Sequence, residues 1–350
     1  MMAMSIDKSF EHYYDLPPEL RRMVIDEMDP CDRVRFTRCS YMSNKEAKQS
    51  PNYMEGLEFH VRDSTCWFYI VTLYSKNHSS VIYYKKERGT NYMFSKDANG
   101  RELWRTKLDS SADVMLLAVD RFKEMLFSHH RKIKKLAFCG SFSGSRWQSI
   151  DFGVPDLRKL EALEMDGNMR IGEYLATLRQ PLKKFSSFEK NIDLSNFEEI
   201  YDVQEEVTMF NSKFTYEQLL RLSASQVNIS IGDLSEMDIF NYIRAWQSGN
   251  WSKPTQITWE KLEYSTFDVD VLIELLGLED QENMEFSDDF YEVRRHDGEL
   301  RLLWLDRHYS EKSSIVFREL EEGEKEYYYE ENHDSFDGDE DEADNEEDNE

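Results

Sequence analysis

Cysteine is scarce in this 350-residue chain: Cys31, Cys39, Cys66 and Cys139 are the only four, and no two form a CxxC pair. That spacing excludes a disulfide scaffold and a paired-cysteine metal site, and it reads as small core residues in a reducing compartment. Long apolar runs are also missing. The longest, residues 67–74, is far short of the roughly 20 residues that a helix needs to cross a bilayer. The opening MMAMSIDKSF lacks the charged-then-apolar pattern of a secretory leader. The expectation is a soluble protein of the cytoplasm or nucleus, with no membrane partner.

Motifs that carry chemistry are absent too. No GxxxxGK(S/T), HExxH or GxSxG occurs. The small-residue run 139–145 has no lysine at the offset a phosphate site needs, so it reads as a loop. His129 and His130 are adjacent on an expected helix and point apart, with no third ligand near. Asp288-Asp289 and Glu321-Glu322 pair only by sequence. The chain reads as a non-enzyme without cofactor or metal. Clustered basic residues are equally sparse: the run 131–135 is short, which disfavours direct nucleic-acid binding.

What the chain has in excess is negative charge, at −27. Residues 321–350 hold 17 acidic residues and one lysine, a net of −16, leaving −11 for the first 320. With no material for a core, that tail reads as disordered and solvated. The remainder is only mildly acidic, and 13% aromatic content argues that it folds.

Residues 15–40, DLPPELRRMVIDEMDPCDRVRFTRCS, form the stretch with the most consistent local signals. Leu16, Leu20, Met23, Val24 and Met28 recur at three- and four-residue steps behind Pro17 and Pro18, which predicts a helix with one apolar stripe. Asp29, Pro30 and Asp32 suit the start of a second helix showing Val34, Phe36 and Cys39. Two helices of this size bury little alone, so the stripe is completed by another chain or by the domain that follows. The run Leu16-Pro17-Pro18-Glu19-Leu20, the apolar Val24, Ile25 and Met28, then Asp29-Pro30, Asp32-Arg33-Val34 and Cys39-Ser40, resembles an F-box. In that family such residues dock onto the Skp adaptor of a cullin-RING ubiquitin ligase, which implies an adaptor-binding set of Leu16, Pro17, Leu20, Val24, Ile25, Met28 and Val34. The polar stretch 43–52, ending at Pro51, reads as a linker.

Strand-like pieces follow at 57–61, 67–74, 81–85 and 91–94, a small antiparallel sheet. Ser111 is expected to open a helix whose face is Met115, Val119, Phe122 and Leu126. Short apolar segments then recur from Leu136, Leu163, Phe185, Val207, Val227 and Leu262, at steps of 27, 22, 22, 20 and 35. Helical stretches are expected between them at 171–178, 197–201 and 215–222, with a longer helix from Ser235 to Gly249. The first four steps fit leucine-rich-repeat-like units; an ordinary α/β sheet is the alternative. Residues 291–295 and 300–305 around His296-Asp297-Gly298 predict a hairpin, with 315–320 as a third strand.

The Tyr291-to-Gly298 run, together with Asp238, Phe240, Asn241, Trp246 and Gly249, looks like the nematode F-box-associated type 2 domain. The expected organisation is F-box at 10–50, small sheet plus helix at 55–130, F-box-associated leucine-rich-repeat-like domain at 131–320 and acidic tail at 321–350. The fold class is α+β / α/β. The function implied is a substrate-recognition subunit bridging the Skp adaptor, on its cullin scaffold, to a target protein. Aromatics and arginines are the usual interface anchors, which singles out Trp246, Trp251, Arg294 and Arg295 for target binding. The rival reading is a solenoid scaffold or chaperone for a basic protein, without adaptor binding.

Overall fold

The computed structural model describes residues 12–28, 30–37, 39–49, 55–62, 68–74, 79–96, 99–129, 133–140, 150–165, 171–188, 197–210, 214–232, 234–249, 254–260, 267–278, 290–306 and 314–320. The chain divides into two compact units, Met1–Ser230 and Ile231–Glu350. It is a mixed α+β protein with both parallel and antiparallel strand pairs.

The first unit opens with a small helical module. A 3-10 turn, Tyr13–Asp15, leads into α1 (Pro18–Glu27), α2 (Pro30–Phe36) and α3 (Tyr41–Gln49). Residues 43–49 therefore belong to a helix, not to the linker expected there. The reason is local: the Ser40 hydroxyl accepts from the Ser43 amide at 3.0 Å, an N-cap that outweighs the polar composition. This three-helix module has a small core of its own, Tyr13, Ile25, Phe36 and Ala47, with Leu16 and Met28 packed against it. Arg33 ties the three helices together. Its side chain is buried, and it donates to the Ile25 carbonyl at 3.5 Å and to the Ala47 carbonyl, the last turns of α1 and α3. Burial pushes its pKa down, with Asp26 opposing. The guanidinium so placed satisfies carbonyls that a helix end leaves open.

The rest of this unit is one sheet, in the order β10-β9-β8-β7-β6-β1-β2-β3-β4-β5. Strands β1 (Gly56–Arg62), β2 (Phe68–Tyr74), β3 (Ser79–Glu87), β4 (Thr90–Lys96) and β5 (Glu102–Lys107) make an antiparallel meander. Four of these lie where residue pattern places them; β5, with only Trp104 buried, gives no alternation to read. Helix α4 (Val114–His129) buries Met115, Val119, Phe122 and Leu126 as its periodicity requires. Asp113, rather than Ser111, caps it, accepting from the Met115 amide at 2.8 Å. Then β6 (Lys135–Gly140), β7 (Ala162–Met165), β8 (Lys184–Ser187), β9 (Glu206–Met209) and β10 (Gln226–Ser230) pair in parallel, β6 on β1. Helices α5 (Ile171–Leu175), α6 (Glu198–Tyr201) and α7 (Tyr216–Arg221) fall between successive strands, α7 behind the Thr215/Gln218 capping box.

Register turns these strands into buried rows. Leu57, Leu136, Leu163, Phe185, Val207 and Val227 stand side by side, and so do Phe59, Phe138, Met165, Ser187, Met209 and Ile229; none is more than 1% exposed. The second row continues through Val71, Ile82, Ser95 and Trp104 across the meander. Phe122 of α4 meets Phe59 edge-on at 5.4 Å, and this face carries the core. Gly140 closes the β1–β6 pair: at φ +114° a Cβ there would lie 2.0 Å from the Val61 carbonyl oxygen, so only glycine fits.

The second unit contains α8 (Glu236–Gln247), β11 (Gln256–Glu260), α9 (Val269–Leu276), β12 (Phe290–Arg294), β13 (Leu300–Asp306) and β14 (Ser314–Glu319). Its strands run β12-β13-β14-β11, and every pair is antiparallel. The expected sixth repeat strand from Leu262 lies outside the described residues. Strand β11 stands instead at 256–260, antiparallel to β14. Helix α9 is not among the expected elements, although Asp268 caps it and Gly277, at φ +70°, ends it.

Replacing Arg33 by Met is expected to take the charged donor from the Ala47 carbonyl of α3 and leave the Ile25 carbonyl of α1 with the Met28 amide alone, destabilising the three-helix module by about 2–3 kcal/mol. Hydrogen exchange of the α1 and α3 amides checks this, with strands β6–β10 serving as the unchanged reference. Arg33→Lys restores little, since one ammonium does not match the two-carbonyl fork.

Candidate functional site

The stripe predicted on α1 splits in two. Leu16 and Met28 turn toward the core of the three-helix module and are half-buried against it. Ile25, which the resemblance and not the stripe singles out, is 1% exposed within that core, so it has no surface to offer a partner. Pro17, Leu20, Met23 and Val24 face outward, Leu20 at 45% and Met23 at 62% exposure. Val34 lies in α2, its side chain outside the described residues. Residues that pattern does not single out join the exposed set: Tyr14, Tyr41 and Met42. The Tyr14 hydroxyl lies 3.0 Å from both the Ser40 and Ser43 hydroxyls, which sets its ring beside the start of α3. Arg21 lies over that ring at 5.8 Å and pairs with Glu46, which also accepts from the Tyr13 hydroxyl at 3.0 Å. Burial, then Glu46, raise the Tyr13 pKa. The sequence signal for Tyr41 and Met42 is Ser40 itself, an N-cap that puts both in the first turn of a helix.

Three of the four target-binding candidates come together in the second unit, in unequal roles. Trp246, 2% exposed, packs edge-on against Phe317 at 5.2 Å and is a core residue, not an interface anchor. Two arginines lie over its ring, Arg301 at 4.7 Å and Arg295 at 5.6 Å. Arg301 is buried, donating to the Pro254 carbonyl and to Glu319, each at 2.8 Å; burial lowers its pKa while Glu319 and Glu299 oppose. Arg295 pairs with Asp297 at 2.6 Å and with Glu299. Its hydrogen bonds hold the exposed Asp297 carboxyl down, at about 2. Arg294 is the exposed member, joined to Glu292 at 2.8 Å. Trp251 lies outside the described residues.

The face of the parallel strands away from the buried rows is polar. Lys135 bridges Glu58 at 2.6 Å and Glu164 at 3.6 Å, and Cys139 donates to Glu164 at 3.4 Å. Burial and then Glu164 push the Cys139 thiol well above its usual range, so it is not a nucleophile at neutral pH. Lys184 pairs with Glu206 at 2.9 Å, and Asn228 donates to Thr208 at 3.2 Å. These partners satisfy one another along the strands.

Among the described residues, no three His, Cys, Asp or Glu side chains are placed to hold a metal ion, and no helix is long and apolar enough to cross a membrane. Asp288, Asp289, His130, Glu321, Glu322 and the residues after Gly140 to 149 lie outside them, as does the His129 side chain. No protein-family model, curated protein or solved structure matches the chain.

Trp246→Ala is expected to cost the second unit about 3–5 kcal/mol, because it empties a buried site and uncovers Arg301. Arg294→Ala is expected to change stability by less than about 0.5 kcal/mol. Chemical denaturation of each variant distinguishes them. Asp297 ionises below its unfolded value of 3.8, so its contribution to the hairpin is complete above about pH 4. That contribution is lost as pH falls through 2; titration of the β12–β13 amide shifts should show this, and Asp297→Asn should abolish the step.

Proposed function

We propose that this chain is a substrate-recognition subunit of a Skp–cullin–F-box ubiquitin ligase, with the N-terminal three-helix module as the F-box and a target protein held further along the chain. One observation carries the reading. Of 13 exposed large apolar side chains among the described residues, six fall between Tyr14 and Met42, in the stretch that resembles an F-box. A module with its own core has no structural need of Leu20, Met23 and Val24 outside it, and exposed apolar clusters of this kind mark partner surfaces. The adaptor-facing set is accordingly Pro17, Leu20, Met23 and Val24, with Tyr14, Tyr41 and Met42 added, while Ile25 supports them from beneath.

The parallel strands at steps of about 20 residues, with α5, α6 and α7 between them, support the leucine-rich-repeat-like part of the resemblance. The hairpin with Arg294 and Arg295 supports the F-box-associated type 2 part of the resemblance. The chain itself would supply no reacting group. Holding a target beside a charged ubiquitin-conjugating enzyme raises its effective concentration, and that is sufficient for transfer.

Leu20→Ala with Val24→Ala removes two exposed side chains and leaves the core beneath α1 intact. Each is worth about 1.5 kcal/mol or more when buried, so Skp binding is expected to fall about 100-fold or further with unchanged thermal unfolding. Undiminished co-purification of the adaptor with the double variant would sink the proposal. Removal of residues 321–350 should leave adaptor binding unchanged; loss of every partner on that truncation would favour the scaffold for a basic protein.

A further inference from the structure

Residues 79–108 run against the charge of the whole chain. They hold seven Lys and Arg and three Asp and Glu, a net of +4 in a protein of −27. Four of the seven, Lys85, Lys96, Arg105 and Lys107, stand on β3, β4 and β5 on the face opposite α4, where Glu87 pairs with Lys85 and both Glu87 and Glu102 pair with Arg105. In cross-strand register, Lys85, Tyr92 and Lys107 form one row, and Tyr83, Phe94 and Arg105 the next. Tyr83 and Phe94 stack with centroids 5.0 Å apart and planes 6° apart. Lys96 lies 5.7 Å from each ring, and Arg105 covers Tyr92 at 4.9 Å and Phe94 at 5.1 Å. Beside them Leu103 is 55% exposed.

This face ends at an open edge. Strand β5 is last in the sheet order, and among the described residues only β4 pairs with it. The Leu108 amide donates to the Asn91 carbonyl at 2.9 Å. Alternation in an antiparallel ladder then turns the backbone amides and carbonyls of Arg105 and Lys107 away from β4, off the edge. Outward backbone amides and carbonyls, Arg105 and Lys107, and an exposed leucine thus occupy one strand.

We propose that the β5 edge binds an extended acidic segment of a partner protein. The segment adds as a further strand, its carboxylates meeting Lys96 and Lys107 and an apolar side chain covering Leu103. Carboxylates already sit on this face: Arg105 takes Glu102 in a fork at 2.7 and 3.0 Å and Glu87 at 2.9 Å, so the partner's carboxylates fall to the lysines. Single-stranded nucleic acid suits it less. Base stacking needs an open ring face, and Phe94, 3% exposed, is enclosed by Tyr83, Lys96 and Arg105. The inference stands without the adaptor reading, and under that reading it gives the class of target captured.

The test is fluorescence anisotropy of the full chain with a short synthetic peptide alternating glutamate and valine, its lysine–valine counterpart, and oligouridylate. Binding of the glutamate peptide alone is expected, weakening as salt is raised. Lys96→Glu with Lys107→Glu should lower its affinity about tenfold or more without changing thermal unfolding. Lys107→Pro should weaken it beyond Lys107→Ala, since proline also removes the outward amide. Equal binding of the lysine peptide, tighter binding of oligouridylate, or indifference to the double charge reversal would each overturn the proposal. None of these readouts involves the three-helix module, so Skp co-purification on the same variants keeps the two proposals separately testable.

Discussion

Burial of one face of the first unit's sheet is the constraint on which the rest depends. The row from Ile229 through Phe138 and Phe59 to Ile82 and Trp104 crosses all ten strands, and its register holds parallel and antiparallel ladders in a single surface. A one-residue slip in any strand would turn its buried side chains to the other face. Because α4 and the connecting helices occupy that side, the opposite face is free to differ along its length. It is self-satisfied and polar over β6–β10, and basic with stacked aromatics over β3–β5.

The N-terminal helices follow the same logic on a smaller scale. Their core of Tyr13, Ile25, Phe36 and Ala47 is separate from the sheet's, and Arg33 donates to a carbonyl at the end of α1 and another at the end of α3. Once these interior positions are filled, α1 keeps a second apolar side exposed among the described residues. An amphipathic helix has one stripe; α1 has Ile25 inside and Leu20, Met23 and Val24 outside, the arrangement on which the proposed adaptor surface rests.

In the second unit, the same residue types have gone to structure. Trp246 lies between Phe317 and two guanidinium groups, and Arg301 exchanges its hydration for a carbonyl, a carboxylate and an aromatic face. The hairpin pairs Arg295 with the acids of its own turn, leaving Arg294 as the outward cation. Tryptophan and arginine are interface anchors by statistics, but they are equally good at closing a core when they stack on each other.

The amino-acid sequence by itself determined most elements, because each rests on local signals. The α4 face, the capping boxes at Thr215 and Ser235, the five apolar segments of β6–β10 and the Gly298 hairpin all carry their reasons within a few residues. Elements with weak periodicity escaped it: β5, an edge strand with one buried side chain, α9, and α3, whose polar composition concealed its cap. Only the tertiary structure decided which apolar residues are surface. Leu20 and Ile25 stand five residues apart, about 140° around the α1 axis; spacing shows that they face different ways, but only packing shows that Ile25 is on the side of Phe36 and Tyr13 while Leu20 stays exposed. The excess of lysine and arginine over residues 79–108 is legible in the sequence, but only register shows that Lys85, Lys96, Arg105 and Lys107 share a face.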